Sequence, residues 1–276
     1  MKNLTIGFIG AGNMANSLIV GLLASGFDPK NIWATNKNLE KLDRLKSLHI
    51  HTSTDNRLLV RQVDVVVLAV KPQILKNVVV KIADLVREKK PLLISIAAAI
   101  NLKTLQAYLQ DNSIAIVRCM PNTPALLGCG ATGLWANVQC SISQKNIAES
   151  VFRRVGIVVW ASSEKELDSV AALSGSGPAY FYLFIYALQE AGFELGLPKE
   201  MSRLLSLQTA LGAARMAIES EQSVDELKQN VASPGGTTQA ALKILAQGHF
   251  SELIKKAMLA ARQRAEEMAD QFENEA

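Results

Sequence analysis

Residues 6–15 read Ile6-Gly7-Phe8-Ile9-Gly10-Ala11-Gly12-Asn13-Met14-Ala15, an apolar run that ends on the spacing G-x-G-x-x-A. Few features narrow a fold as far. Gly10 permits a tight turn, Gly12 lets the backbone approach a pyrophosphate, and small Ala15 lets the next helix pack on the strand. That helix would aim its unpaired N–H groups at the phosphates. Such triplets also occur in ordinary turns, so the weight comes from its place on the first strand of an alternating run. Ile9, Gly10, Ala11, Gly12, Asn13 and Met14 are the expected cofactor contacts.

The alternation continues. Short β-branched runs at 4–9, 32–35, 63–70, 92–96 and 114–120 are separated by helical spacing such as Leu39, Leu42, Leu45 and Leu48. This predicts α/β architecture, with a Rossmann-type doubly wound parallel sheet covered on both faces. Beyond about residue 163 strand signals stop and helical patterns run to the end, so residues 1–163 read as a nucleotide-binding domain and 164–276 as an all-α domain. The 250–272 stretch reads as one amphipathic helix, with Leu253, Ala257, Ala260, Ala261 and Met268 available for packing. Helices this long in so small a domain need a covering surface. A homodimer interface is the favoured answer and a self-contained bundle the alternative.

The second strand ends at Ala34-Thr35-Asn36-Lys37-Asn38, where an NAD enzyme carries an acid against the ribose 2′-hydroxyl. A cation and amides instead suit a 2′-phosphate, which points to NADPH through Asn36 and Lys37, with NADH weaker; a solvated polar turn is the other reading. Later strand ends add Ala69, Val70, Lys71 and Pro72, and then Ser95, Ala97 and Ala98, at the carboxyl edge where such sheets bind ligands.

Net charge is +4 and scattered, so nucleic acid is not an expected partner. The apolar stretch 179–188 is too short to cross a membrane, and the opening shows no cleavable apolar segment. Cys119, Cys129 and Cys140 form no CxxC pair, which suits reduced thiols in the cytoplasm, and His49, His51 and His249 show no ligand spacing, so no metal is expected.

Two glycine-rich segments open onto helical patterns in the second half: Ser174-Gly175-Ser176-Gly177-Pro178 and Ser233-Pro234-Gly235-Gly236-Thr237-Thr238. Each offers backbone N–H groups to a carboxylate, although glycine and proline also simply punctuate helices. With these segments the chain resembles pyrroline-5-carboxylate reductases along essentially its whole length. The resemblance runs through residues 7–15, 64–72, Arg118-Cys119-Met120-Pro121-Asn122-Thr123-Pro124, 175–180, Gln208-Thr209, Gly212-Ala213-Ala214 and 233–238.

The resemblance implies NADPH-dependent reduction of the cyclic imine 1-pyrroline-5-carboxylate to L-proline, the last step of proline biosynthesis, by dimers that gather into larger rings. It implies that Asn56 touches the cofactor and that Glu221, Asn230, Ser233, Gly236, Thr237 and Thr238 surround the substrate, with Gly235 in the same loop. Reduction needs a hydride, a grip on the carboxylate and a protonated imine nitrogen. Thr238 would donate to or orient that nitrogen, and Glu221 would favour its charged form. Two departures stand out: Ala99 follows Ala98 where the family has glycine, and Cys129 replaces a common glutamate. Two rivals are a β-hydroxyacid-type NADP dehydrogenase and a non-catalytic nucleotide-binding scaffold. The absence of lysine from 180–194 counts against the first, and intact glycine loops count against the second.

Overall fold

Three strands with no polar face, β1 (Ile6–Ile9), β4 (Val65–Leu68) and β5 (Leu92–Ser95), are buried along their whole length. Only a sheet covered on both sides can hold such strands. The computed structural model describes residues 4–276. Around the three lie β2 (Ile32–Thr35), β3 (His51–Ser53), β6 (Ile116–Met120), β7 (Gly130–Ala136) and β8 (Gly156–Trp160). The order is β3-β2-β1-β4-β5-β6-β7-β8, parallel except where β7 runs antiparallel to β6. The first six strands follow the 3-2-1-4-5-6 order of a dinucleotide-binding fold.

The helices of this part are α1 (Asn13–Ala24), α2 (Leu39–Lys46), α3 (Asn56–Gln62), α4 (Pro72–Lys89), α5 (Leu102–Leu109), α6 (Ile142–Arg153) and α7 (Glu166–Val170). Because side chains alternate along a strand, Val65 and Val67 join one core with Phe8, Leu18, Leu22 and Phe152, on the α1 and α6 side. Val66 and Leu68 join the other with Leu59, Val79, Ile82 and Leu105, on the α3, α4 and α5 side. Strands β3 and β7 give no clear sequence signal, and β8, an apolar run at Ile157 to Trp160, is not among the strands expected above. β3 is short and lies at the sheet edge, while β8 alternates exposed Ile157 and Val159 with buried Val158.

The remaining helices are α8 (Gly177–Glu194), α9 (Lys199–Glu219), α10 (Val224–Val231), α11 (Thr237–Gln247) and α12 (Phe250–Asn274). The chain forms two compact units, one holding everything up to Ser176 together with Ala260–Ala276, the other Gly177–Leu259. The division differs from the expected boundary at residue 163. It also splits α12, whose end returns to the nucleotide-binding unit. There Phe272, Met268 and Ala269 pack with Leu105 and Tyr108, and the carboxylate of Glu273 takes Nδ2 of Asn101 at 2.9 Å and pairs with Lys103. An amphipathic pattern announces that a helix will bury one face but not against what.

Within the second unit α8 and α9 pack closely at Gly192, where a Cβ would collide with the Ser202 hydroxyl, which donates to the carbonyl of Gln189 at 2.7 Å. Its apolar side chains are otherwise open to solvent, including Leu183 at 69% and Ile218 at 82% exposure, and neither α10 nor α11 has a buried residue. Among the described residues no helix is long and apolar enough to cross a membrane.

Candidate active site

Parallel pairing brings the expected cofactor residues to one edge. Ile9 is level with Thr35 and Leu68, and Leu68 with Ser95, so four strands end side by side. Gly10 leaves β1 at φ 109° with its N–H bonded to the carbonyl of Thr35 at 2.9 Å. A Cβ there would lie 2.5 Å from the carbonyl oxygen of Ala69, so glycine is required by space as well as by angle. Gly12 faces open space: a Cβ would meet nothing within 4 Å. It also starts α1 without a side-chain cap and with no acid in the first turn. Open backbone at an uncapped helix start is a cradle for an anion, and the site fits a dinucleotide pyrophosphate. Ala15, fully buried, keeps α1 against the sheet.

At the end of β2 the polar residues divide their work. Asn38 caps α2 by accepting from the N–H of Lys41 at 3.3 Å, so it is structural. Asn36 accepts from the N–H of Asn38 at 2.9 Å through Oδ1, which leaves its amide nitrogen as a donor, and Lys37 is exposed without an ion pair among the described residues. Asn56, at the first turn of α3, accepts the Thr35 hydroxyl at 2.7 Å. Thr35 is a residue that sequence reasoning missed as a site component; a hydroxyl at a buried strand end is the signal. The next residue, Arg57, anchors α3 through both nitrogens to Asp84 on α4 at 2.6 and 2.7 Å, a pairing that lowers the Asp84 pKa to about 2.

Further along the edge, Ala69 bonds back to Ile9, Val70 is half-buried, and Lys71, exposed, precedes Pro72 at the start of α4. Ser95 is buried with its hydroxyl unpartnered among the described residues. After Ala97 and half-buried Ala98 comes Ala99 at φ 61°. A left-handed backbone costs an L-residue about 1–2 kcal/mol, so Ala99 holds this turn against a backbone preference.

Two polar residues of the motif from Arg118 to Pro124 brace the scaffold. Asn122 donates to the carbonyl of Ser174 at 2.9 Å and accepts from the N–H of Ala131 at 2.9 Å. Arg118, buried on β6, pairs with Glu164 at 2.6 Å. Beside them burial raises the Asp168 carboxyl from its ordinary value, against the pull of Arg118. The first glycine-rich segment is not an open anion loop: residues 171–175 form one wide helical turn, and Ser176 bonds to the carbonyl of Ala171 at 2.8 Å before α8 begins. Cys119 and Cys140 are buried free thiols, raised by that burial, and Cys129 is an exposed one.

In the second unit the 233–238 loop is open. Gly235 takes the left-handed backbone at φ 73°, while Gly236 starts α11 at an ordinary φ of −81°. The left-handed backbone of this loop therefore belongs to Gly235. At Gly236 the limit is spatial, since a Cβ would sit 3.0 Å from the carbonyl of Ser233. The N–H groups of Gly235 and Gly236 are spent inside the loop, on Gln239 Oε1 at 2.7 Å and Ser233 O at 2.9 Å. The donors left for an anion are those of Thr237 and Thr238, at a helix start with no side-chain cap. The half-buried Thr238 hydroxyl has no partner among the described residues. Asn230 reaches from α10 to Gln222 at 3.1 Å, tying the turn that bears exposed Glu221 to the helix leading into this loop.

Comparison with known proteins identifies relatives along the whole chain. Residues 164–268 match the family profile described as pyrroline-5-carboxylate reductase dimerisation, and residues 5–99 match NADP oxidoreductase coenzyme F420-dependent. A pyrroline-5-carboxylate reductase of Pseudomonas aeruginosa is 45% identical, over 99% of both chains. The solved structure of such a reductase from Coxiella burnetii superposes with a TM-score of 0.91 at 50% identity, over 97% of this chain and 99% of that one. One from Plasmodium falciparum, with NADP bound, superposes with a TM-score of 0.88 at 33% identity, over 98% and 99%.

Proposed function

The chain belongs to the pyrroline-5-carboxylate reductase family, and on that premise we propose that it reduces 1-pyrroline-5-carboxylate to L-proline with NADPH, as the last step of proline biosynthesis. The observation that carries the reading is the start of α11, where two backbone N–H donors and an unpartnered threonine hydroxyl stand together at an uncapped helix end. An anionic cyclic imine needs that pair of features: a clamp for its carboxylate and a donor for its nitrogen.

The glycine turn with Ile9, Gly10, Ala11, Gly12, Asn13 and Met14 binds the pyrophosphate end of the cofactor. Asn36, Lys37 and Asn56 present donors and a cation to the 2′-phosphate, so NADPH is preferred and NADH serves less well. Ala69, Val70, Lys71, Pro72, Ser95, Ala97 and Ala98 line the rest of that edge. When bound, NADPH supplies the hydride. Thr237 and Thr238 hold the substrate carboxylate through the backbone, with Ser233, Gly235 and Gly236 shaping the loop. Thr238 hydrogen-bonds to the neutral imine nitrogen or, once a solvent proton has made the iminium, accepts from its N–H and so orients it. Glu221 favours the protonated form of that nitrogen by its charge, and Asn230 keeps the Glu221 turn in place.

Further readings complete the proposal. Two copies cover one another's exposed apolar helices as a homodimer, and dimers join into a larger ring. Three free thiols and no disulfide suit the reducing cytoplasm. The primary test is NADPH oxidation followed by nicotinamide absorbance with pyrroline-5-carboxylate as substrate. Turnover with proline as product is expected. A chain that binds NADPH but leaves the imine unreduced overturns the reading.

A further inference from the structure

The turn that follows β5 is tied down at its far end by a residue from a distant part of the chain. Leu102, the first residue of α5, donates its N–H to Oε1 of Glu164 at 2.6 Å, across 62 positions of sequence. The same oxygen accepts from Nη1 of Arg118 at 2.6 Å, and Arg118 is buried on β6, so the carboxylate has one place to be. Asn101 is held as well, by Glu273 through Nδ2 at 2.9 Å and by the N–H of Thr104 at 2.8 Å. With no acid of its own in the first turn, α5 borrows one from Glu164.

Three residues before Leu102 stands Ala99 in its left-handed backbone, only 5% exposed. A residue with a Cβ resists that conformation and keeps it only where its surroundings hold it. We propose that Glu164 is a positioning residue for the cofactor: fixed by Arg118, it caps α5 and so keeps Ala99 in the conformation that shapes the 96–100 turn. Glu164 acts through Leu102. The proposal rests on the reading above that this turn contacts the cofactor.

The test uses the full chain and the fluorescence of NADPH on binding. Glu164→Gln keeps an acceptor oxygen but removes the charge that Arg118 grips, and should weaken the NADPH Kd by about tenfold through misplacement of the turn. Adding Ala99→Gly should restore the Kd to within about twofold of the unmodified protein, because glycine reaches that backbone without steric strain. If Glu164→Gln does not fold, Glu164→Asp, which keeps the charge and shortens the reach, should show the same loss and the same rescue. An unchanged Kd, with or without a lower Tm, overturns the proposal, as does a loss that Ala99→Gly does not restore. Ala98→Glu examines the reading beneath it, since a carboxylate on the turn should abolish NADPH binding. If Ala98→Glu binds NADPH normally, the turn is no cofactor contact and both fall. If it abolishes binding while Glu164→Gln is silent, only the role of Glu164 falls.

Discussion

Thr35 donates its hydroxyl hydrogen to Oδ1 of Asn56 at 2.7 Å, joining the end of β2 to the first turn of α3. The bond occupies the amide's acceptor and leaves Nδ2 free to donate at the edge assigned to the 2′-phosphate. Thr35→Val keeps the shape of this buried residue and removes the hydroxyl, so the amide can turn its oxygen toward the phosphate. The KM for NADPH should rise about fivefold, the worth of one hydrogen bond, with kcat held and NADH less affected. Steady-state kinetics with both cofactors check this; an equal effect on the two would remove Asn56 from 2′-phosphate recognition.

The 233–238 loop is assigned two separable tasks. Thr238→Ala keeps the backbone donors and loses the hydroxyl, so kcat should fall about 10- to 1000-fold with little change in NADPH affinity. Gly236→Val puts side-chain atoms against the Ser233 carbonyl, where even a Cβ would stand 3.0 Å away, and should act mainly on the KM for the imine. Full kcat in a folded Thr238→Ala enzyme would leave the hydroxyl with no chemical role.

The exposed apolar helices of the second unit forecast assembly. Leu183, 69% exposed on α8, should be covered by a second copy. Light scattering after size-exclusion chromatography should give a dimer or a multiple of it, and Leu183→Asp should shift the mass downward. A fully active monomer at micromolar concentration would contradict this.

Acid sensitivity should show at Asp84. Its pKa falls from the usual 3.8 to about 2, first through its hydrogen bond to Arg57, so the folded form favours the charged carboxylate. Stability from the pair is therefore present above about pH 4 and lost as pH falls toward 2. Both groups are exposed, so added salt should shrink the effect. Urea midpoints measured across this range should fall more steeply with acid in the unmodified chain than in Asp84→Asn, and parallel curves would refute the assignment.

The glycine spacing after an apolar strand was legible because it answers local needs: Gly10 must turn at a positive φ beneath Ala69, and Gly12 must leave room. The buried strands β1, β4 and β5 were legible for a similar reason, since two covered faces demand continuous apolar residues. The edge strand β3 was not, because its three polar residues read as loop, whereas β8 does carry an apolar run, Ile157 to Trp160, that was passed over. Local pattern likewise overstated the 174–178 segment, whose glycines lie in a wide helical turn and the start of α8.

By itself, then, the sequence determined the alternating architecture, the anion-binding helix starts and the absence of an acid at the end of β2, all properties of neighbouring residues. Tertiary structure alone decided which of those polar residues remain free. It assigned Asn38 to a helix cap, gave Asn56 to Thr35, and spent the N–H groups of Gly235 and Gly236 within their own loop. It also carried Phe272 back to the sheet and set Glu164 on Arg118 and Leu102. Such pairings depend on groups distant in the chain meeting within about 3 Å, where a hydrogen bond forms or fails over tenths of an ångström. No spacing along the chain encodes that distance.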